Sequence, residues 1–318
     1  MRVAAVDCGT NSIRLLVADL DLAAGSQVDV ERTMEIVRLG AGVDRTGRLA
    51  PDALERTFAA CDRYGDRIRV LGAERVRFVA TSASRDAQNR DEFVSGVLAR
   101  IGVEPEVVPG AEEAGLSFVG ATRGLDGIAP GPYLVVDIGG GSTEFVLGTA
   151  SADGTTASHG TTVPDASRSV DIGCVRMTER HLVSDPPTAA QIAAARTDVE
   201  AAIDEAAAAV PLAAARTLVG LAGSVTTLAA IDAGLTSYQP EVTHHYRLPA
   251  ASVHRLAAQL LAMTRAERAG IPVMHPGRVD VIGAGALILS AVVSRTGLAE
   301  VLVSEHDILD GIAWSLAD

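Results

Sequence analysis

The chain opens on an unbroken apolar run, Val3-Ala4-Ala5-Val6, and a second run, Ile13 to Val17, follows a polar gap that contains a glycine. Short apolar runs bounded by turn residues predict strands, so residues 3–20 are expected to form a hairpin. Val28 to Leu39 predicts a further strand region, closed by Gly40-Ala41-Gly42. The period then changes. After Ala50-Pro51-Asp52, apolar positions at Leu54, Phe58, Cys61 and Tyr64 recur at helical spacing, and proline stands where a first helical turn accepts it. Val76 to Ala80 predicts a strand, Thr81 to Asn89 a loop, Arg90 to Ile101 a helix, Val103 to Val108 a strand, and Gly110 to about Thr122 a helix. Arg123 to Pro132, with several Gly and Pro, reads as a linker.

The second half repeats this grammar. Leu134 to Ile138 and Thr143 to Leu147 predict another hairpin. A Gly/Ser/Thr-rich loop is expected around Asp153-Gly154, followed by a strand leading to Asp171-Ile172-Gly173-Cys174-Val175-Arg176. Pro186-Pro187-Thr188 is expected to cap an Ala-rich helix over 189–209, because alanine has the strongest helix propensity. Leu218 to Leu228 predicts strand, glycine turn and helix; Val253 to Met263 and Asp280 to Ser294 predict helices, Val301 to Ser304 a strand and Asp307 to Leu316 a last helix. Strands alternating with helices throughout imply an α/β fold with mixed sheets.

The two hairpins echo each other. Sliding one on the other aligns Asp7 with Asp137, Gly9 with Gly139 and Ser12 with Ser142. Each copy reads strand, Asp, glycine turn, Ser, strand, and a repeat at domain-sized spacing suggests two related halves. Without Cβ atoms in a turn, backbone N–H groups can approach an anion closely, which makes such a turn a natural phosphate cradle. An aspartate at the strand end would meet the same anion only through a metal or a water, so a metal is implied.

Composition narrows the chemistry. A length of 318 residues allows two domains, and 48% hydrophobic with 21% charged residues fits a globular chain. A formal net charge of −13 argues against nucleic acid as the partner, and the longest apolar stretches fall short of a membrane span. With the first strand starting at once and no leader in front of it, a soluble, cytoplasmic protein is expected. Cys8, Cys61 and Cys174 are too widely spaced for a metal site and read as reduced and structural. The sequence contains no lysine, so all 27 basic residues are arginine. A P-loop lysine and a Schiff-base lysine are thereby excluded, and phosphate must be met by Arg forks, backbone amides and metal.

The blocks DCGTNSIRLL (7–16), ATSASRDAQN (80–89), GAEEA (110–114), VVDIGGGSTE (135–144), DIGCVRMTE (171–179), GLAGSVTTLA (220–229) and VIGAGALIL (281–289) together resemble the exopolyphosphatase and guanosine pentaphosphate phosphohydrolase (Ppx/GppA) family, a branch of the actin, Hsp70 and sugar-kinase superfamily. The resemblance covers nearly the whole chain and is to the short, two-domain form. It implies two RNase H-like α/β domains flanking a central cleft, 1–125 and 126–318, with the last helix packing back on the first. It also implies release of terminal orthophosphate from polyphosphate, or of the 5′ phosphate of pppGpp, with Mg²⁺ (or Mn²⁺) and a homodimeric assembly. Carried over residue by residue, it makes Glu113 the catalytic carboxylate and Asp137 the metal-linked one. Asn11, Ser12, Arg85, Gly139, Gly140, Gly141 and Ser142 become phosphate contacts, and Glu144 lies where the family has another carboxylate near the metal. Asp7 is a further metal candidate through the internal repeat.

Beside the resemblance, ordinary readings stand. Glu112-Glu113 is by pattern alone the charge expected in a first helical turn. Arg176 and Arg278 could reach substrate or serve as structural ion-pair partners. His244-His245, as neighbours on a strand, would point to opposite faces and stay exposed; His275 and His306 read as loop or cap residues. Arg63, Arg67, Arg69, Arg75 and Arg77 form a solvated face or a track for a polyphosphate tail. The competing functions are a non-catalytic nucleotide or polyphosphate sensor and a sugar kinase, the latter without a recognisable site for a sugar hydroxyl.

Overall fold

The computed structural model describes residues 1–125, 127–149 and 164–317; the loop expected around Asp153-Gly154 lies outside them. The first run of elements is β1 (Arg2–Cys8), β2 (Ser12–Asp21), β3 (Ser26–Ile36), α1 (Val43–Thr46), α2 (Pro51–Leu71), β4 (Arg75–Ala80), α3 (Ser82–Asp86), α4 (Arg90–Ile101), β5 (Glu106–Val107) and α5 (Gly110–Thr122). There follow β6 (Tyr133–Ile138), β7 (Thr143–Gly148), β8 (Ala166–Val170), α6 (Cys174–His181), α7 (Ala189–Ala209), β9 (Thr217–Leu221), α8 (Ala222–Asp232) and α9 (Pro240–Thr243). The chain ends with β10 (Arg247–Pro249), α10 (Ala250–Ala262), α11 (Arg265–Ala269), α12 (Ile282–Thr296), β11 (Glu300–Val303) and α13 (Ile308–Ser315). Among the described residues, no helix is long and apolar enough to cross a membrane.

The described residues divide into two compact units, Met1–Gly120 joined by α13, and a second unit running from Ala121 to Asp307. The first holds a sheet of order β3-β2-β1-β4-β5, with β2 antiparallel to β1 and β3 while β1, β4 and β5 run parallel. The second holds β10-β11-β9-β6-β7-β8, in which β7 is antiparallel to β6 and β8 while β6, β9 and β11 run parallel. Read outward from the antiparallel edge, the two sheets have the same order, and β10 is one added edge strand. Each unit is therefore an RNase H-like α/β layer structure, and the duplication seen in the hairpins extends to whole sheets.

Burial explains the unbroken apolar runs. Ala4, Val6 and Cys8 of β1 face one core with Ala60, Cys61 and Tyr64 of α2 and Phe93 and Val97 of α4; Val3 and Ala5 face another with Leu116 of α5 and Ile308, Leu309 and Ile312 of α13. A strand covered on both faces has no polar position to alternate with. The close fit of α13 is visible at Gly311, where an added Cβ would overlap the carbonyl of Leu116. Asp310 of α13 is buried yet paired: Gln27 and Arg32 donate to its carboxylate at 2.8 and 2.5 Å. In the second unit, α6, α7, α10 and α12 supply the core with Leu134, Val136, Phe145 and Val301 of the sheet. Thr188 caps α7 with a full capping box to Gln191.

Several local expectations change. Ser82–Asp86 is a short helix within the segment expected to be a loop, and the strand expected at 103–108 shrinks to β5. Cys174–His181 is helical, an amphipathic helix with Cys174, Val175 and Met177 buried, where the sequence pattern assigns no element beyond Arg176. The arginine stretch is no free track: Arg63 pairs with Glu35, Arg67 with Glu31, Arg69 with Asp66, and Arg77 with Glu106 and Glu112.

Candidate active site

Parallel strands present their C-terminal ends at one edge of a sheet, where ligands bind in open α/β folds. In the first unit, register places Cys8 beside Ala80 and Ala80 beside Val107, so the segments 9–12, 81–85 and 108–113 leave the sheet together. These hold Asn11, Ser12, Arg85 and Glu113. Thr10 and Ser82 hydroxyls lie 2.9 Å apart and tie the first turn to the start of α3. Arg85 donates from Nη1 to the carbonyl of Val108 at 3.0 Å and to Glu113 Oε2 at 3.2 Å. Its remaining guanidinium donors have no acceptor among the described residues. The adjacent glutamates have separate fates: Glu112 pairs with Arg77 at 2.6 Å on the surface, whereas Glu113 is buried at 7% exposure with Arg85.

In the second unit, Asp137 stands level with Leu221, and Val303 with Gly220, so the ends of β6, β9 and β11 form the equivalent edge. The turn Gly139–Ser142 is held by its carbonyls. Cys174 N–H donates to Gly139 O at 2.9 Å, Val175 and Arg176 N–H to Gly140 O at 2.9 and 3.1 Å, and Arg176 Nε to Gly141 O at 2.7 Å. The first amides of α6, which have no partner inside their own helix, are thus satisfied by the turn. Gly173 makes this possible, because a Cβ there would overlap the peptide of Gly140. With the carbonyls engaged, the amides of Gly140 and Gly141 and the hydroxyl of Ser142 take no acceptor among the described residues. Such amides form an anion-binding concavity.

The first turn is held by the same logic from a different source. Val37 and Arg38 N–H donate to Asn11 O at 3.1 and 2.9 Å, and Gly40 N–H to Thr10 O at 2.8 Å. Gly9 N–H donates to Ser12 O at 2.9 Å as Gly139 N–H does to Ser142 O at 3.0 Å.

The carboxylates differ. Asp7 lies opposite Arg14 across β1 and β2, and Arg14 Nε and Nη2 both donate to its Oδ2, at 3.0 and 2.6 Å. Asp137 lies opposite Glu144 across β6 and β7. Directly opposed residues of an antiparallel pair share a face, about 4.5–5.5 Å apart at Cβ. Both acids are nearly buried, at 8% and 2% exposure, and Ser169 Oγ donates to Glu144 Oε1 at 2.7 Å. Two opposed hard oxygen donors suit Mg²⁺, which binds through one or two carboxylates and keeps several waters. Among the described residues no cluster of three or more His, Cys, Asp or Glu could hold a metal by itself.

Arg278 reaches Thr227 Oγ1 at 3.0 Å and lies against Gly223, where a Cβ would overlap its guanidinium. The cysteines are structural: burial pushes the Cys174 thiol up to about 11 and that of Cys61 to about 12, and Cys8 well upward too. The histidine expectation is overturned. His244 and His245 follow α9 in a turn rather than a strand, with His245 at φ 62, and their rings stack at 3.7 Å between centroids.

Sequence reasoning missed Arg14, although the repeat that aligns Asp7 with Asp137 also aligns Arg14 with Glu144. It missed the helix that clamps the second turn, for which Gly173 was the available signal.

Known proteins match this chain from end to end. It is 50% identical to Exopolyphosphatase 2 of Mycobacterium tuberculosis, over 99% of this chain and 98% of that one. A guanosine-5′-triphosphate,3′-diphosphate pyrophosphatase of Photobacterium profundum is 29% identical over 98% of this chain, which spans 59% of its length. The crystal structure of an exopolyphosphatase-like protein superposes with a TM-score of 0.91 at 44% identity, covering 98% of this chain and 97% of the other. The model of the Ppx/GppA phosphatase family matches residues 20–318, and with relatives this similar along the full length, the chain belongs to that family.

Proposed function

We propose that this protein is an exopolyphosphatase, a hydrolase that releases orthophosphate from the end of inorganic polyphosphate by attack of water on the terminal phosphoanhydride. The observation that carries the substrate is the 50% identity to Exopolyphosphatase 2 across both chains. The chemistry rests on the two clamped turns and on Glu113.

Phosphoryl transfer to water needs charge neutralisation on the transferred group, a positioned water and a group to orient it. Amides of Gly140 and Gly141 and the Ser142 hydroxyl would bind phosphate oxygens, and the first turn offers Asn11 and Ser12 as phosphate contacts of its own. Their carbonyls are already engaged, so these donors are fixed before substrate arrives, which is how preorganised sites stabilise developing charge. Arg85 would serve twice: Nη1 fixes Glu113, and its other donors are left for a phosphate oxygen. Glu113 would orient the attacking water and accept its proton. Asp137 and Glu144 would hold Mg²⁺ or Mn²⁺, whose charge, when bound, neutralises the phosphate being transferred. Asp7 already has Arg14 as its cation, so this reading gives the first hairpin an anion-binding role and leaves the metal to the second.

Purified protein assayed for phosphate release from short polyphosphate, long polyphosphate and pppGpp, with and without Mg²⁺, tests the substrate. Turnover of polyphosphate dependent on Mg²⁺ is expected, and turnover of pppGpp alone would replace the proposal. Glu113→Gln is expected to keep polyphosphate affinity while turnover falls by about 10²–10⁴, the usual worth of a general base. Undiminished phosphate release in that variant would remove Glu113 from the mechanism.

A further inference from the structure

We propose that His244, His245 and His306 form an anion subsite that takes a phosphate of the polyphosphate chain other than the one released. The inference rests on the exopolyphosphatase reading and adds to it where the remainder of the substrate is held.

Three imidazoles gather where the fold delivers ligand groups. Val303 at the end of β11 is level with Gly220 of β9 and, through it, with Val136 of β6, so the segment 304–306 leaves the sheet at the same edge as the glycine turn. Two strand spacings separate β11 from β6, about 10 Å. In the first unit the strand equivalent to β11 is β5, which leads to Glu113; in the second unit β11 leads to His306, and the turn after α9 brings His244 and His245 beside it. His244 lies between its neighbours, with centroids 3.7 Å from His245 and 4.6 Å from His306.

The arrangement is built. His245 adopts φ 62, uncommon for a residue with a side chain, and its N–H donates to Val303 O at 2.7 Å. Glu305 N–H donates to His244 Nδ1 at 3.2 Å, which leaves the proton of that ring on Nε2 as a donor. The ring nitrogens of His245 and His306 make no hydrogen bond to any described residue, and both rings are half-buried.

The charges nearest the rings are of both signs. Glu305 is taken up by the hydroxyls of Tyr238, at 2.5 Å, and Thr243. Asp307 follows on the same loop and is buried. The short turn Pro276–Arg278 contributes the Arg278 guanidinium, whose charge reaches Tyr238, and His275, held toward its neutral form by burial and by Arg278. Burial and then the charge of His306 hold His245 below the usual histidine range. Protons are therefore kept off His245 while no anion is bound, and an arriving phosphate, by offsetting that repulsion, draws one in. In a chain without lysine, imidazoles are the remaining side chains that can acquire positive charge in this way.

The test compares the wild-type protein with His306→Gln and with His245→Asn, asparagine being tolerant of positive φ. KM for polyphosphate at pH 6 is expected to rise about tenfold in each variant, the scale of one charge-assisted hydrogen bond, with kcat unchanged and the difference shrinking at pH 8.5. Calorimetry with inorganic tripolyphosphate in two buffers of different ionisation enthalpy should show proton uptake by the wild type and less by the variants. Unchanged KM in both variants, or binding without proton uptake, overturns the subsite. A raised KM for pppGpp alone would assign the rings to a nucleobase and overturn it too. If the wild type released no phosphate from polyphosphate the exopolyphosphatase reading would fail, and the calorimetry would still decide whether these rings bind a phosphate chain.

Discussion

The two hairpins of this chain share one register and differ in charge. Cys8 pairs with Ile13 as Ile138 pairs with Thr143, and each aspartate sits one step further from the turn. Opposite the aspartate, the first hairpin has Arg14 and the second has Glu144. The first is neutralised from within. The second brings two carboxylates to one face, an arrangement that a bound cation, or a proton held by one of them, would stabilise. A duplicated scaffold thus acquires two roles through the one residue facing the aspartate.

The comparison can be broken most sharply by exchanging that residue. Glu144→Arg gives the second hairpin the ion pair of the first, and turnover is expected to fall by about 10²–10³, as when a preorganised charge-stabilising group is lost. Phosphate release followed across a Mg²⁺ titration is the measurement; full activity with unchanged metal dependence would end the assignment of a metal to Asp137 and Glu144. In the first hairpin the reverse loss acts on stability. Arg14→Met removes the guanidinium that donates twice to a buried carboxylate, and breaking a buried pair in this way costs about 3–5 kcal/mol. Urea unfolding should show the deficit, and Asp7→Leu added to Arg14→Met should recover most of it; no deficit would mean that the pair is not what neutralises Asp7. The smallest effects concern the glycines packed on each turn. Gly173→Ala drives a methyl into the backbone of Gly140, whereas Gly40→Ala meets the methyl of Thr10, a side chain. The first is expected to cost about 1–3 kcal/mol and the second less. Equal losses would show that the clamp on the second turn is no tighter than that on the first.

Much of this was legible because it depends on short-range pattern. The paired motifs Asp7 to Ser12 and Asp137 to Ser142 revealed the duplication, and short apolar runs between turn residues revealed the strands. Pro186-Pro187-Thr188 marked the start of α7. What escaped depends on register and on contacts distant in sequence. The significance of Arg14 against Glu144 lies in their standing across from an aspartate, which only strand pairing defines. α6 is short and mostly polar, and its first turn is fixed by the carbonyls of a turn more than thirty residues earlier. His306 lies about sixty residues from His244, and the stacking of His244 on His245 requires a positive φ that no propensity foretells.

The helix that ends the chain belongs to the unit that begins it. Ile308, Leu309 and Ile312 fill a core whose other walls are strands made nearly three hundred residues earlier, and Asp310 awaits Arg32. During synthesis the first half therefore emerges with one face of its sheet only partly covered, by α5, and cannot close until α13 has been made. Contacts so far apart along the chain slow folding and prolong the exposure of apolar surface. A nascent chain stalled before Ile308 should consequently be held by chaperones, and emergence of α13 should be the event that frees it.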